Sequence, residues 1–274
     1  MLGVLAVTQF GKGGPAEYSR ICARCIELRV RAALSPPQGR RLSHGNRMKK
    51  NIKQRILAID VGGSHVKTRL SGRREMRQFE SGPKLTPRQL VTSVHELNGD
   101  LRFDAVSIGY PGVVVHGKIM AEPYNLGRGW VGFDFRKAFG RPTHIMNDAA
   151  MQALGSYEGG RMLFLGLGTG LGSALIVDGV IAPMELAHLP YKRGRTYEDY
   201  LGDQGRRRLG SKKWRRAVTE VVDKLRIALE ADYVVLGGGN ARKMKKLPRT
   251  ARLGSNDFAF LGGFRVWRSA TRRA

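Results

Sequence analysis

Residues 56–67 read Ile-Leu-Ala-Ile-Asp-Val-Gly-Gly-Ser-His-Val-Lys. The run Ile56–Ile59 is short, β-branched and free of charge, as a buried strand requires. Gly62 and Gly63 permit backbone angles closed to other residues and remove side chains that would block a ligand. A strand, a glycine turn with free N–H groups and the carboxylate of Asp60 beside it suit a magnesium-bound phosphate. The same residues also fit a plain β-hairpin with a glycine-rich turn. The segment alone does not choose between the two.

A second stretch of the same build lies roughly a hundred residues on. Residues 162–177 read Met-Leu-Phe-Leu-Gly-Leu-Gly-Thr-Gly-Leu-Gly-Ser-Ala-Leu-Ile-Val. This is strand, glycine turn with a hydroxyl at Thr169, then strand. No helix follows, so the glycine pattern is a weak match to a dinucleotide fingerprint. Two such hairpins suggest two related lobes, each supplying phosphate contacts.

The chain between and around them reads as α/β. A second strand follows Lys67, and a third is expected near 75–80. Thr86 is placed to cap a helix with Pro87 at its first position. Leu90, Val91, Val94 and Leu97 recur at helical spacing, and Asn98-Gly99 stops the helix. Ala105–Ile108 is the next strand, and 113–120 reads as a hairpin turning at His116-Gly117. Residues 122–130 are too polar and glycine-rich for core. A helix near 133–139 leads to the strand His144–Met146, and Ala149–Tyr157 is helical. Three leading strands followed by alternating helix and strand indicate an α/β lobe over 48–147. A second lobe is expected over 148–268. It holds a helical region at 196–202, a long helix over 212–230 and a strand Tyr233–Leu236 that runs into Gly237-Gly238-Gly239. Phe258–Trp267 is expected to pack back on that second lobe, and 269–274 to fray.

Composition bounds the partners. The 274 residues are 42% hydrophobic, enough for one large domain or two modest ones. No run of 18 apolar residues occurs, so no transmembrane helix and no membrane partner are expected. The two cysteines, Cys22 and Cys25, stand as one isolated C-x-x-C pair. They complete neither a zinc site nor a disulfide framework, which fits a reducing, cytoplasmic location. Residues 1–47 carry eight basic and two acidic side chains, broken by Gly-Gly-Pro at 13–15 and Ser-Pro-Pro at 35–37. They read as a disordered extension or as lying ahead of the true start at Met48. The formal net charge of +26 mostly belongs to the rest. It attracts polyanions, or is solvated without consequence. Much of it is clustered at 206–216 and 242–252.

Several polar residues sit where α/β sheets place ligands, beyond the carboxyl ends of strands. Asn147-Asp148 follows a strand directly. Asp148 reads either as a helix N-cap or as a general base for a substrate hydroxyl. Glu185 and His188 form a surface pair, half of a metal site, or a hydrogen-bonding pair for a polyhydroxylated substrate. No cysteine or further histidine lies near them to complete a zinc site.

Taken in order, these pieces resemble the ROK family of sugar kinases, within the actin-like ATPase superfamily, in its polyphosphate glucokinase-like branch. The residues carrying the resemblance are 60–67, Gly-Tyr-Pro-Gly-Val-Val at 109–114, Asn125 through Trp130, Asn-Asp-Ala-Ala at 147–150, 165–175, Glu-Leu-Ala-His-Leu at 185–189 and Val-Leu-Gly-Gly-Gly at 235–239. The resemblance implies a two-lobed actin-like ATPase (ribonuclease H-like) fold, with a mixed β-sheet and flanking helices in each lobe. It implies Mg²⁺ held at Asp60, and donor phosphates near Gly62, Gly63, Ser64 and Lys67. Gly168, Thr169 and Gly170 would form a second phosphate loop, and Gly237, Gly238 and Gly239 would lie near a nucleotide. Asn125, Asn147, Asp148, Glu185, His188 and Glu198 would bind the sugar, with Asp148 as base. The donor implied is polyphosphate or ATP, the acceptor a hexose, most simply glucose, and the assembly a homodimer. Two departures stand out. Ala187 precedes His188 where the family usually has glycine, and the cysteine-rich zinc motif of many members is missing, so no structural zinc is expected. A catalytically degenerate regulator or a nucleic-acid-binding protein on the same scaffold is the alternative. The retained Asp60, Asp148 and both glycine loops argue against it, and no specific nucleic-acid partner is expected.

Overall fold

A computed structural model describes residues 54–255 and 257–270. The expectations for 1–47, for Cys22 and Cys25, and for the last four residues lie outside the described residues. Two five-stranded sheets carry the fold, and they share one topology. The first sheet begins with β1 (Ile56–Val61), β2 (His65–Leu70) and β3 (Met76–Glu80), paired antiparallel in sequence order. α1 (Pro87–Leu97) then crosses to β4 (Ala105–Tyr110), which lies parallel to β1. A small hairpin, β5 (Val114–Val115) with β6 (Lys118–Ile119), and α2 (Phe135–Phe139) lead to β7 (Thr143–Asn147), parallel to β4. The strand order is β3-β2-β1-β4-β7.

α3 (Asp148–Ser156) leads into the second sheet. β8 (Arg161–Leu167), β9 (Leu171–Val177) and β10 (Val180–Met184) again pair antiparallel in sequence order. β11 (Pro190–Lys192), β12 (Arg195–Thr196), α4 (Tyr197–Leu201) and α5 (Asp203–Ala228) intervene. β13 (Tyr233–Gly237) then lies parallel to β8, and β14 (Ala251–Leu253) parallel to β13. The order β10-β9-β8-β13-β14 repeats that of the first sheet, strand for strand. α6 (Asp257–Ala270) closes the described chain.

Alternation along the strands decides which face buries what. Leu57, Ile59 and Val61 of β1 join Leu90, Val91 and Val94 of α1 and Phe135 and Phe139 of α2 in one core. In the second sheet Leu163, Leu165 and Leu167 pack with Trp214, Val218, Val221 and Leu225 of α5. The opposite face, with Met162, Phe164, Ala174 and Ile176, packs on α3. Local signals match these elements. Thr86 and Gln89 form a reciprocal capping box at the start of α1, and His116-Gly117 turns with both residues at positive φ.

Three expectations differ from the structure. The stretch Asp203–Ala228 is two helices joined across Gly210, where φ is 71° and ψ is 159°: the expected long helix follows that residue, and a short helix from Asp203 that the sequence did not suggest precedes it. Residues 122–130 are not all peripheral: Leu126 and Trp130 are buried in the first core. The Glu122 carboxylate makes this possible by accepting the N–H groups of Gly129, Trp130 and Val131, which the fold would otherwise strand. The closing helix packs not only on α3 of the second lobe, as expected, but also on β1 and β4 of the first sheet. Ser107 of β4 donates to the carbonyl of Gly263 at 2.6 Å, and Arg69 of β2 pairs with Asp257 and lies over the Phe260 ring. α3 and α6 cross at glycines. A Cβ on Gly155 would stand 1.8 Å from the Phe258 carbonyl oxygen, and one on Gly262 1.8 Å from that of Met151. Only glycine lets the two backbones touch there.

Candidate active site

A cavity of about 680 Å³ opens beside the start of α3. The two glycine turns form part of its lining, with Gly62, Gly63 and Ser64 from the first and Gly168, Thr169 and Gly170 from the second. Asn125, Asn147, Asp148, Glu185, His188, Glu198 and Gly238 complete the set of expected residues that line it. Asp60, Lys67, Gly237 and Gly239 are expected site residues that do not. Asp60 and Lys67 face each other in register across β1 and β2. Gly237 ends β13, packed against Phe164 and Gln152.

The start of α3 separates two roles that the sequence left joined. Asn147 is the N-cap: its Oδ1 accepts the Ala150 N–H at 3.1 Å, and its Nδ2 donates to the Gly112 carbonyl at 3.1 Å. Asp148 is therefore released from capping. One of its oxygens accepts the Ala149 N–H at 2.8 Å, which fixes the carboxylate at the cavity that Asp148 lines. Burial pushes the Asp148 carboxyl up to about 7, helped by the charges of Asp60 and, less, Glu185; the Ala149 N–H pulls the other way. Burial likewise raises Asp60 to about 6 against the pull of Lys67. A carboxylate near 7 is poised to take a proton at neutral pH.

The first turn is closed by Gly62 N–H donating to His65 O at 3.0 Å. Ser81 braces it, its hydroxyl donating to Gly62 O at 2.6 Å and its N–H to Ser64 O at 3.0 Å. The second turn closes through Gly168 N–H to Gly170 O at 3.1 Å. Glu198 of α4 accepts the Leu171 N–H at 2.9 Å, and a Cβ on Gly170 would meet its carboxylate at 2.3 Å. Asp203 N–H donates to the carbonyls of Gly168 and Thr169, and Asn240 Nδ2 to Gly168 O at 3.1 Å and Asp203 Oδ1 at 3.3 Å. Gly238, at φ 78°, brings the chain over the Leu167 carbonyl, an approach that leaves no room for a side chain.

Ser81, Gln152, Asp203 and Asn240 are participants the sequence reading missed. Asn240 had a signal, as the polar residue directly after three glycines; Ser81 and Asp203 had none.

The residues present fit a magnesium ion that arrives with phosphates. Such an ion takes one or two protein carboxylates and completes its shell with phosphate oxygens and water. Asp60 and Asp148 are neighbouring, half-buried carboxylates, and the charge of Asp60 disfavours ionisation of Asp148. Among the described residues no group of three or more His, Cys, Asp or Glu could hold a metal without such help.

The basic clusters divide into anchored and free cations. Arg206 and Arg207 pair with Asp203, Arg208 donates to the Asp199 carbonyl, Lys243 donates to Asn240 Oδ1, and Arg252 pairs with Glu158. Lys212, Lys213, Arg216, Arg242, Lys245, Lys246 and Arg249 are exposed and form no ion pair among the described residues. No helix among the described residues is long and apolar enough to cross a membrane.

Two sheets of one topology, each ending a glycine hairpin on a shared cleft, define the two-lobed actin-like ATPase fold. Residues 56–183 match the model of the ROK family. The chain is 29% identical over 210 residues to the polyphosphate glucokinase of Mycobacterium tuberculosis (strain CDC 1551 / Oshkosh), a match covering 69% of this chain and 78% of that protein. Among solved structures it is similar to the inorganic polyphosphate/ATP-glucomannokinase of Arthrobacter sp. strain KM, with a TM-score of 0.68 and 22% identity, covering 79% of this chain and 99% of that one. It is also similar to a ROK family transcriptional regulator described as a homologue of the E. coli MLC protein, with a TM-score of 0.62 and 15% identity, covering 94% of this chain and 89% of that one.

Proposed function

We propose that this protein is a hexose kinase that transfers a phosphoryl group from polyphosphate or ATP to a sugar hydroxyl, with glucose as the leading acceptor. The observation that carries the reading is Asp148: a fixed carboxylate, raised to about 7, in a cavity lined by two glycine turns. In this reading the acceptor hydroxyl gives its proton to the Asp148 carboxylate as its own oxygen forms a bond to the terminal phosphorus of the donor. The bond from that phosphorus to the donor's bridging oxygen breaks, and the shortened donor leaves with the electron pair. Asn125, Glu185, His188 and Glu198 present polar atoms for the sugar hydroxyls, and Asn147 has one amide hydrogen left for the same use. The N–H groups of the two turns receive phosphate oxygens, as fixed donors in a water-poor cleft do for phosphoryl transfer. Magnesium at Asp60 would neutralise donor charge.

The unpaired cations of 212–216 and 242–249 support a polyanionic donor, because a basic surface gains affinity for a polyanion by releasing its counterions. The similarity to polyphosphate glucokinases supports the same choice. A matrix of donors (ATP, long-chain polyphosphate) against hexoses tests it. Turnover of glucose with either donor is expected; turnover with ATP alone would remove the polyphosphate assignment.

A second reading, a regulator without turnover, is favoured by the coverage of the transcriptional regulator's fold. It predicts salt-dependent DNA binding and an inert matrix.

A further inference from the structure

Gln152 is a polar side chain in the cleft that the sugar and magnesium assignments leave unused. It lies on α3 four residues after Asp148, so both project from one face of that helix. Like Asp148, it lines the cavity. Its carboxamide oxygen stands 3.2 Å from where a Cβ on Gly237 would sit, over the glycine end of β13. The neighbouring Gly238 lines the same cavity. The amide group thus stands one helical turn beyond the proposed base, on the side of the triple glycine. It makes no hydrogen bond among the described residues, although a carboxamide brings two donors and one acceptor. A half-buried amide without partners is costly unless a ligand or water supplies them.

We propose that Gln152 is a donor-side ligand, whose carboxamide N–H groups donate to the phosphate oxygens of the donor chain. The inference rests on the kinase reading above and adds a specificity residue to it. A neutral amide suits that place. It donates to phosphate oxygens without competing with magnesium for them, and it leaves the Asp148 carboxylate as the acceptor of the hydroxyl proton. Glutamate there would have nearly the same shape and would repel the phosphates. Methionine would keep the volume and the packing against β13 while removing both donors. A role limited to packing α3 against Gly237 would respond to neither change in donor binding alone.

The test uses the full chain and needs no turnover. Binding of magnesium tripolyphosphate and of magnesium ATP is titrated calorimetrically without sugar, and glucose binding without donor, for the wild type, Gln152→Glu and Gln152→Met. Gln152→Glu is expected to weaken both donors about tenfold or more, and Gln152→Met by several-fold, with glucose affinity within about twofold. A loss confined to ATP would narrow the site to the nucleotide's phosphates, and a loss on both would assign it to the phosphate chain in general. Donor binding unchanged in both variants, or donor and glucose affinities falling together, would overturn the assignment. A wild-type chain that binds glucose and neither donor would overturn the kinase reading and this inference with it.

Discussion

The two glycine hairpins occupy the same place in their sheets, yet they are held in opposite ways. The first carries charge in its own strands, with Asp60 on β1 facing Lys67 on β2, and needs one brace, Ser81. The second carries no charge of its own between 162 and 177. It is gripped from outside by Glu198 at Leu171, by the Asp203 N–H at Gly168 and Thr169, and by Asn240 at Gly168. In the kinase reading the first hairpin therefore brings charge beside the cleft, and the second a neutral turn positioned from outside. A duplicated topology has been divided between two tasks.

The comparison is broken most directly at the carboxylate where the two hairpins meet. Asp148→Asn should lower kcat about a thousandfold, as expected for loss of a positioned base, while glucose binding measured by calorimetry stays close to wild type. A variant turning over at a near-normal rate would remove Asp148 from the chemistry. Within the hairpins, Asp60→Asn should cost about a hundredfold, eased in part by excess Mg²⁺, and Thr169→Ala no more than about tenfold. The larger loss falling on Thr169 would reverse the division of tasks drawn above.

Steric support separates the hairpins further. A methyl group on Gly63 would come no closer than 3.4 Å, to the Asn125 side chain. On Gly170 it would meet the Glu198 carboxylate at 2.3 Å and push away the group that holds Leu171. Gly170→Ala should raise the donor KM about tenfold, and Gly63→Ala about twofold. Equal effects from the two substitutions would show that the outside grip on the second hairpin is not needed.

What the sequence made legible follows the range of each interaction. Asp60, the glycine turns and Asn147-Asp148 declare themselves within a few residues, because strand, turn and helix cap are local patterns. Their supports do not. Ser81 reaches back to Gly62, and Asn240 reaches across 72 positions to Gly168. Gln152 looks from sequence like any polar position on a helix, and only the close packing of α3 on β13 turns it toward the cleft. Trp130 was hidden by its polar surroundings, since nothing local says that Glu122 satisfies the backbone around it. The closing helix returns to α3 of the second lobe through Gly155 and Gly262, but its added hold on the first sheet, Ser107 to Gly263 and Arg69 to Asp257, has no local signal.

The smallest predicted effect concerns stability, and its sign runs against activity. Asp148 has an ordinary value of 3.8 and rises to about 7 in the folded chain, chiefly through burial. Between those values the folded state keeps a proton that the unfolded state has released. Stability from this group is therefore greatest at acid pH and is lost as pH climbs through the window to about 7. Asp60 acts in the same direction up to about 6. At higher pH the ligand-free protein carries two half-buried, mutually repelling carboxylates at the junction of its sheets. Asp148→Asn removes one charge and the repulsion together. It should stabilise the ligand-free protein by about 1–2 kcal/mol at about pH 8, a rise of a few degrees in Tm, and by almost nothing at about pH 4. Thermal unfolding of wild type and variant at both pH values checks this. A variant less stable at the higher pH would mean that the Asp148 carboxylate is already neutralised in the ligand-free fold. The second hairpin offers the control: Thr169→Ala changes no charge, so any Tm shift it causes should be the same at both pH values.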